Sequence, residues 1–451
     1  MTSASTDLAP ARHQVLASLI FWNTEGEGDS AIFVSDMYLV KDISGAIGLM
    51  AVALVLLGTW PVVLAVLERR GRLPQHTFLD FSITNFLAAV LIALTFGQIG
   101  PDTPETPNFL TQLTQNNWPS VLFAMAGGVT LSLGTLATQY GWAFVGLSVT
   151  EVMASSLKVV IGTTLNYFLD GRINKAEILF PGVGCFLIAA ILGSLVHSSN
   201  AADNQEKLAM SLHNYSKSTR NTTYEDLTEV LIDKEAPKDL EEAKLDASEA
   251  TQNLKVEAGT AEFLVHLEEK RSIKVLGSHT LLGLGIVVFA GVFYALFAPA
   301  FNLATNDQWH VLPAGVPHLV VYTAFFYFSL ACFAVSVGLN LWFLHRPMVG
   351  VPRSTVAAYL RDGEGRGLAL LAGMVCGLGN ALTFMAGQAA GYAAADSVQA
   401  LPLVSTLWGV VLFGEYRRSS RRTYTLLGSM LLMFAVAMAV LMASSNHRKP
   451  L

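Results

Sequence analysis

Charged residues are scarce in this chain: Asp, Glu, Lys and Arg make up only 14% of its 451 residues, while hydrophobic residues make up 52%. The mean hydropathy of +0.47 is too high for a soluble domain. Basic residues lie between apolar runs and form no stripe with interleaved aromatic residues, which argues against nucleic-acid binding. The composition therefore predicts a protein that crosses a membrane several times.

Cysteine is also rare, and the three cysteines (Cys185, Cys332 and Cys376) all lie in apolar segments. They form no CxxC pair and have no spacing to histidine that suits zinc, so a metal site is not expected. The chain lacks HExxH, GxSxG and Walker A motifs, and the sequence GSHT at 277–280 lacks the lysine of a phosphate loop. We therefore expect neither an enzyme nor a bound cofactor.

Apolar runs separated by turn and charge signals predict ten membrane-spanning helices. The first five begin near Ser44, Thr77, Trp118, Trp142 and Ala176, and the second five begin near Ser278, His318, Gly367, Gly391 and Tyr424. Residues 1–43 hold one apolar run, too short to span, and no convincing cleavage site. The predicted order is a polar extension (1–43), a five-helix repeat (44–196), a hydrophilic linker (197–277), a second repeat (278–445) and a tail (446–451).

The short loops differ in their content of basic residues, which predicts the orientation in the membrane. The loops after the first, seventh and ninth spans contain Arg69, Arg70, Arg72, Arg346, Arg353, Arg361, Arg366, Arg417, Arg418, Arg421 and Arg422. The loops after the second, sixth and eighth spans contain no Lys or Arg. By the positive-inside rule, both termini are extracellular and the linker is cytosolic, although Arg172, Lys175 and the Arg448-Lys449 tail are exceptions. The sequons at Asn214 and Asn221 would then be unused.

The two halves of the chain contain a weak internal repeat. Leu133 to Arg172 aligns with Leu378 to Arg417 without a gap, at an offset of 245 positions. In this register Glu151 falls on Asp396, and several glycine, threonine and phenylalanine residues coincide. Chance agreement between apolar segments remains an alternative. With five spans in each half, the second copy runs through the membrane in the opposite direction, as in transporters with inverted repeats.

The fourth span carries ionisable side chains within an apolar helix. Ser148, Glu151, Ser155, Lys158 and Gly162 fall on one helical stripe. Charges at this depth are costly and are usually functional. Two interpretations of Glu151 stay open: it carries a proton, or it forms a salt bridge with Lys158, whose alpha carbon is about 10 Å away. Asp396 is a second coupling candidate, or a carboxylate that simply favours its helix dipole.

Polar and aromatic groups in other spans suggest a binding cavity. The first span is expected to end in GTWP at 58–61, where Trp60 offers a flat aromatic surface, and FAPA at 297–300 is its counterpart in the sixth span. Both are either proline kinks or substrate-facing segments. The other candidates are Asn85, Gln139, Asn380, Thr383 and Gln399. Each alone is explained by an interhelical hydrogen bond, but together they suit the N–H and C=O edge of a planar amide ring.

Longer motifs resemble a known family. GTWP from Gly58, ERRGRLPQHT from Glu68, VIGTTLNYFLDGRINKAEILFPG from Val160, APAFNLATNDQWH from Ala298 and GQAAGYAAADSVQALPLVSTLWGVVLFGEYRRSSRRTY from Gly387 closely resemble the plant ureide permeases. The resemblance implies an all-α membrane protein of the drug/metabolite transporter superfamily, with ten transmembrane helices in two inverted five-helix repeats. It also implies import of allantoin, uracil, xanthine and related oxo derivatives of nitrogen heterocycles, with protons.

The predicted function is therefore proton-coupled import across the plasma membrane by alternating access. The substrate would stack on Trp60 and be bound by Gln139, Asn380 and Gln399, while Glu151 takes up the proton. A small-molecule substrate and membrane lipid are the expected partners, with no nucleic acid and no cofactor besides the proton. The alternatives are an internal-membrane carrier of metabolites or nucleotide sugars, and a receptor that binds ligand without transport.

Overall fold

The computed structural model describes residues 40, 42–99, 102–104, 106–229, 280–348 and 351–445. These ranges are helical and contain no strand, and ten of their helices are long and apolar enough to cross a membrane. The helices are α1 (Ile43–Arg69), α2 (Pro74–Leu94), α3 (Trp118–Val145), α4 (Leu147–Leu169), α5 (Ala176–Glu229), α6 (Thr280–Asn306), α7 (Val321–His345), α8 (Arg366–Ala390), α9 (Tyr392–Phe413) and α10 (Arg421–Ser445). The predicted all-α membrane fold is confirmed.

Proline lies inside two helices and does not end them. The first span was expected to end at GTWP, but α1 continues past Pro61 to Arg69. That expectation is wrong because proline removes one backbone hydrogen bond, while the buried Val62 and Leu64 keep the next turns packed. Pro299 lies inside α6 in the same way.

The fifth helix extends beyond the predicted start of the linker. Its apolar part covers Ala176–Lys207, and the helix continues to Glu229 without a break at 196. Residues with good helix propensity, such as Ala and the polar Glu and Lys, allow a helix to leave the membrane without ending. The rest of the predicted linker, the N-terminal extension up to residue 39 and the tail from 446 lie outside the described residues.

Contacts between the two halves follow a pseudo-twofold pattern. The contact of α1 with α8 has its counterpart in the contact of α6 with α3. In the same way, α2 contacts α8 and α7 contacts α3, while α4 contacts α6 and α9 contacts α1. Across the axis, α2 meets α7, α4 meets α9 and α5 meets α10. Since every contact has its counterpart five helices later, the two repeats are interleaved around one centre.

The turns before the repeat-related helices α4 and α9 are alike. Gly146 and Gly391, which coincide at the offset of 245, have φ angles of +88° and +89°. A residue with a side chain would be strained in this conformation, so glycine is favoured at both turns.

The helices that follow these glycines are interrupted at different places. α4 contains a π-helical segment at Val159–Thr163, immediately after Lys158. α9 begins with one α-helical turn, changes to a 3₁₀ segment at Asp396–Gln399 and resumes at Pro402. Interrupted helices often mark functional sites in membrane transporters, because they expose backbone groups and redirect side chains.

Candidate functional site

A small cavity lies at the contact between the two repeats, near the middle of most of the helices that form it. Its free space is about 40 Å³, enough for a few water molecules. The lining is Leu57, Trp60, Leu131, Thr135, Glu151, Ala154, Ser155, Lys158, Tyr294, Phe297, Cys376, Asn380, Gln399 and Leu401. The structure thus brings together five predicted residues: Trp60, Glu151, Lys158, Asn380 and Gln399.

Most of the lining consists of repeat-related pairs, which places the cavity on the pseudo-twofold axis. At the offset of 245 the pairs are Leu131 with Cys376, Thr135 with Asn380, and Ala154 with Gln399. α1 and α6 add Leu57 with Tyr294 and Trp60 with Phe297, both at an offset of 237. In transporters with inverted repeats, substrate sites lie at the interface between the repeats, which is where this cavity lies.

Glu151 is a buried carboxylate in the cavity wall, with 6% of its surface exposed. Its Oε1 accepts a hydrogen bond of 2.9 Å from Trp142 Nε1. Trp142 in turn packs edge to face against Trp60, with ring centroids 5.7 Å apart. Glu151 and the aromatic surface of Trp60 therefore belong to one connected group.

Lys158 is equally buried and lies beside aromatic rings. Its Nζ lies 4.0 Å from the centroid of Phe297 and 6.0 Å from that of Tyr294. Among the residues that the structure describes, no carboxylate oxygen comes within 4.0 Å of this ammonium, so Glu151 and Lys158 are not in direct ionic contact. Two carboxylates, those of Asp396 and Glu151, interact electrostatically with Lys158.

Asp396 lies behind the cavity wall, at the start of the 3₁₀ segment of α9. Its Oδ2 accepts hydrogen bonds from Thr163 Oγ1 at 3.0 Å and Asn166 Nδ2 at 3.3 Å. Both donors belong to α4, so the carboxylate joins the interruptions of the two repeat-related helices. Asp396 is therefore a buried counter-charge of Lys158, with two side-chain donors of its own.

Three other predicted residues do not line the cavity. Asn85 packs against α8 near Gly377, Gln139 Nε2 donates to the Pro74 carbonyl at 2.9 Å, and Thr383 Oγ1 donates to the Gly379 carbonyl at 2.9 Å. The contact of Gln139 is the interhelical hydrogen bond that was the alternative interpretation, whereas Thr383 bonds within its own helix.

Sequence reasoning missed several residues of the site. Trp142 was not singled out, although it provides the hydrogen bond to Glu151. Phe297 entered only as part of a proline motif, and Tyr294 was not considered. The offset of 237, which aligns Trp60 with Phe297 and Leu57 with Tyr294, is the sequence signal that identifies both.

At one end of the bundle, α5 continues past its apolar part; we call this end the linker end. An ionic cluster at the linker end joins the two repeats. Asp80 of α2 accepts from Arg72 Nη2 at 2.6 Å, from Tyr359 Oη at 2.7 Å and from Arg366 Nε, at the start of α8, at 3.4 Å. Burial and the Asp80 carboxylate raise the pKa of Tyr359 to about 12, so this hydroxyl remains a donor at physiological pH. The cluster holds α2 and α8 together below the cavity.

The opposite end is closed by neutral groups and one acid. Asn302 Nδ2 donates to Asp170 Oδ1 at 2.7 Å, and the other oxygen of Asp170 accepts from the Tyr392 backbone N–H at 3.1 Å. Phe301 stacks on Phe384 with ring centroids 3.7 Å apart. Polar contacts thus join the two repeats at both ends of the bundle, and the cavity lies between these ends.

Comparison with known proteins identifies the family. The family model described as ureide permease matches residues 77–444. The chain is 62% identical to ureide permease 2 and 60% identical to ureide permease 1 of Arabidopsis thaliana, over 413 residues that cover 92% of this chain and all of each relative. Ureide permease 5 of the same plant is 58% identical over 415 residues, which cover 92% of this chain and 97% of the relative.

The chain belongs to the ureide permease family. It is accordingly an integral, multi-pass membrane transporter with a small-molecule substrate, and not an enzyme. The family resemblance drawn from the sequence motifs is confirmed.

Proposed function

We propose that this ureide permease imports allantoin, uracil, xanthine and related oxo derivatives of nitrogen heterocycles across the plasma membrane, together with protons. The observation that carries the proposal is the chemistry of one cavity, which combines aromatic faces, two amides and a carboxylic acid. Its small volume means that the repeats must separate slightly before a heterocycle fits. Alternating access supplies that movement.

Substrate recognition rests on Trp60, Phe297, Asn380 and Gln399. Trp60 and Phe297 are repeat-related aromatic side chains, suited to stacking on a planar ring from the two halves. Asn380 and Gln399 each offer an amide N–H and C=O, which match the alternating donors and acceptors of a ureide or pyrimidine edge. Asn85, Gln139 and Thr383 position helices and have no direct role in this proposal.

Proton coupling follows from the charges at the site. Glu151 and Asp396 can carry two negative charges, and Lys158 supplies one positive charge, so one proton makes the group neutral. Asp396 accepts two side-chain hydrogen bonds, from Thr163 and Asn166, whereas Glu151 accepts one, from Trp142. Glu151 is therefore the better proton acceptor, and it lies in the same cavity as the substrate.

The expected orientation places the linker and the basic loops in the cytosol. In support, the loops after α1, α7 and α9 and the polar part of α5 gather at the linker end. Arg72 lies 3.4 Å from Asp362 of the α7–α8 loop, and Arg69 lies 2.9 Å from Glu415 of the α9–α10 loop. Asp203 of α5 accepts from the Ser420 backbone N–H. Labelling of single cysteines in the linker by an impermeant maleimide should then require permeabilised cells.

The alternative cargo, a nucleotide sugar, is less well supported. Such a molecule is anionic and needs several cationic side chains, but Lys158 is the single Lys or Arg in the cavity lining. A neutral heterocycle needs none, although its uphill transport needs a coupled ion.

Uptake of labelled allantoin into cells without their own ureide transport tests the proposal. Accumulation should rise as the external pH falls and should collapse with an uncoupler. Glu151→Gln should retain exchange of labelled for unlabelled substrate but accumulate it only to the external concentration. Glu177→Gln, at an exposed position at the start of α5, is the matched control. Accumulation that is insensitive to external pH, or that persists in Glu151→Gln, contradicts proton coupling. The substrate range is tested separately, by competition of uracil and xanthine with labelled allantoin.

A further inference from the structure

A second cavity lies at the linker end, away from the transport cavity. Its volume is about 250 Å³, and it is formed by the end of α1, the α3–α4 turn, α5 and the α9–α10 loop. None of the residues that line the transport cavity contributes to it. Its location, where α5 leaves the apolar part of the bundle, is that of the membrane surface.

Positive charge predominates in this second cavity. Arg69, Lys207 and Arg417 line it, with Glu415 as the single carboxylate of the lining. Arg69 is engaged by Glu415 at 2.9 Å. The Lys207 ammonium instead donates to two neutral groups, the Arg417 carbonyl at 3.0 Å and Asn204 Oδ1 at 3.3 Å. Its nearby charges are Asp203 and Arg418, which oppose each other. Among the residues that line the cavity, three cations therefore stand against one carboxylate.

The cavity also has an apolar side. Val145, Leu147, Val149 and Phe413 line it opposite the polar residues of α5. A site with clustered cations and an apolar wall, at the boundary of the membrane, suits a molecule that carries a phosphate next to a hydrocarbon part. An ionic solute without an apolar part would leave this wall in contact with water.

We propose that this cavity binds the phosphate group of an anionic phospholipid, held by Lys207, Arg417 and Arg69. Free inorganic phosphate shares the charged chemistry but not the contact with the apolar wall, so the two sources are distinguishable.

Occupancy of this site bears on transport because α4 begins beside it and α9 ends beside it. Leu147–Val149 is the first turn of α4, which carries Glu151. Phe413 is the last residue of α9, which carries Gln399, and Glu415 follows it. The two are already linked by the hydrogen bond from Ser148 Oγ to Glu415 Oε2 at 2.6 Å. A phosphate that attracts Arg69 competes with Glu415, and so changes the contact between α4 and the α9–α10 loop.

The test measures the thermal unfolding midpoint of the purified full chain in neutral detergent, which does not depend on transport. The probes are dioctanoyl phosphatidylglycerol, dioctanoyl phosphatidylcholine and inorganic phosphate. The anionic lipid should raise the midpoint in a concentration-dependent manner, and the zwitterionic lipid should not. Lys207→Gln/Arg417→Gln should lose more than half of the rise. The matched control, Arg172→Gln/Lys175→Gln at the opposite end, should keep it.

Each outcome decides between named possibilities. Inorganic phosphate could raise the midpoint as much as the lipid does, with the rise lost in the same double variant. That outcome supports the site but assigns it to a soluble phosphate. An equal rise in the double variant and the wild type overturns the proposal, as does the absence of a rise with both anions. If the double variant does not fold, Arg417→Gln alone, whose side chain is exposed, should show a smaller loss in the same direction.

Discussion

The repeat-related helices α4 and α9 carry acids at equivalent positions in very different surroundings. Glu151 faces the cavity and has Trp142 as its hydrogen-bond donor. Asp396 lies behind the wall and is held by Thr163 and Asn166 of the other repeat. Lys158 attracts both but has no counterpart in α9, because Leu403 occupies the equivalent position.

The difference shows how an inverted repeat becomes specialised. Two symmetric acids without a cation would compete for the same proton, and neither would have a defined state at a given pH. In the mechanism that we propose, the added lysine and the two donors keep Asp396 charged, and Glu151 exchanges the proton. On the same proposal, the symmetric part of the cavity binds substrate and its asymmetric part couples transport to the proton.

Asp396→Asn should have the largest effect, because it leaves Lys158 with Glu151 as its single attracting carboxylate. Glu151 must then stay ionised, so uptake should lose its dependence on external pH. The variant should exchange internal for external substrate without accumulating it. Loss of this acid leaves the buried charge of Lys158 less compensated, so the thermal midpoint should fall as well. Lys158→Met/Asp396→Asn removes both charges and should recover most of the midpoint. An unchanged midpoint in Asp396→Asn would show that Lys158 does not rely on this acid.

Lys158→Thr should have the next largest effect. Without the ammonium, both carboxylates gain protons more readily, so the pH of half-maximal uptake should move to a higher value. A pH titration of initial uptake rates in the variant and the wild type measures the shift. Lys175→Thr, at an exposed position in the loop after α4, removes a cation outside the cavity and serves as the control. A midpoint that stays in place would exclude Lys158 from the coupling group.

Trp60→Leu and Phe297→Leu test the symmetric part of the cavity. Each removes one aromatic face, and a lost stacking contact of about 1.4 kcal/mol corresponds to a roughly tenfold weaker binding of substrate. The KM for allantoin should therefore rise about tenfold in both variants, with the pH dependence of uptake unchanged. Trp118→Leu, at an exposed position at the start of α3, should leave KM unchanged. An effect confined to Trp60 would show that the substrate contacts one repeat only.

The sequence predicted the ten spans, the repeat and the cavity face of α4, because apolar runs and helical periodicity are local signals. Glu151, Ser155 and Lys158 do lie together in the lining. The sequence did not show that Gln139 binds the Pro74 carbonyl, since that partner is on another helix. Nor did it show the interruptions of α4 and α9, which depend on how the two helices pack at Asp396.

The smallest expected effects come from the hydrogen-bond donors of the two acids, and they compare α4 with α9 most directly. Trp142→Phe removes the donor to Glu151, and Thr163→Val removes one donor to Asp396. Each lost bond costs about 1 kcal/mol. If Glu151 carries the proton, only Trp142→Phe should move the pH of half-maximal uptake, and it should move it upward, because the ionised carboxylate loses a stabilising donor.

Thr163→Val should instead lower the thermal midpoint slightly and leave the pH profile in place, because Asp396 keeps Asn166 and Lys158 and remains charged. The two variants are matched in that each deletes a single side-chain donor to one carboxylate; Thr163→Val keeps the shape of the side chain, whereas Trp142→Phe replaces it with a smaller aromatic ring. A shifted pH profile in Thr163→Val, with none in Trp142→Phe, would reverse the assignment: Asp396 would exchange the proton, and Glu151 would be the permanent partner of Lys158.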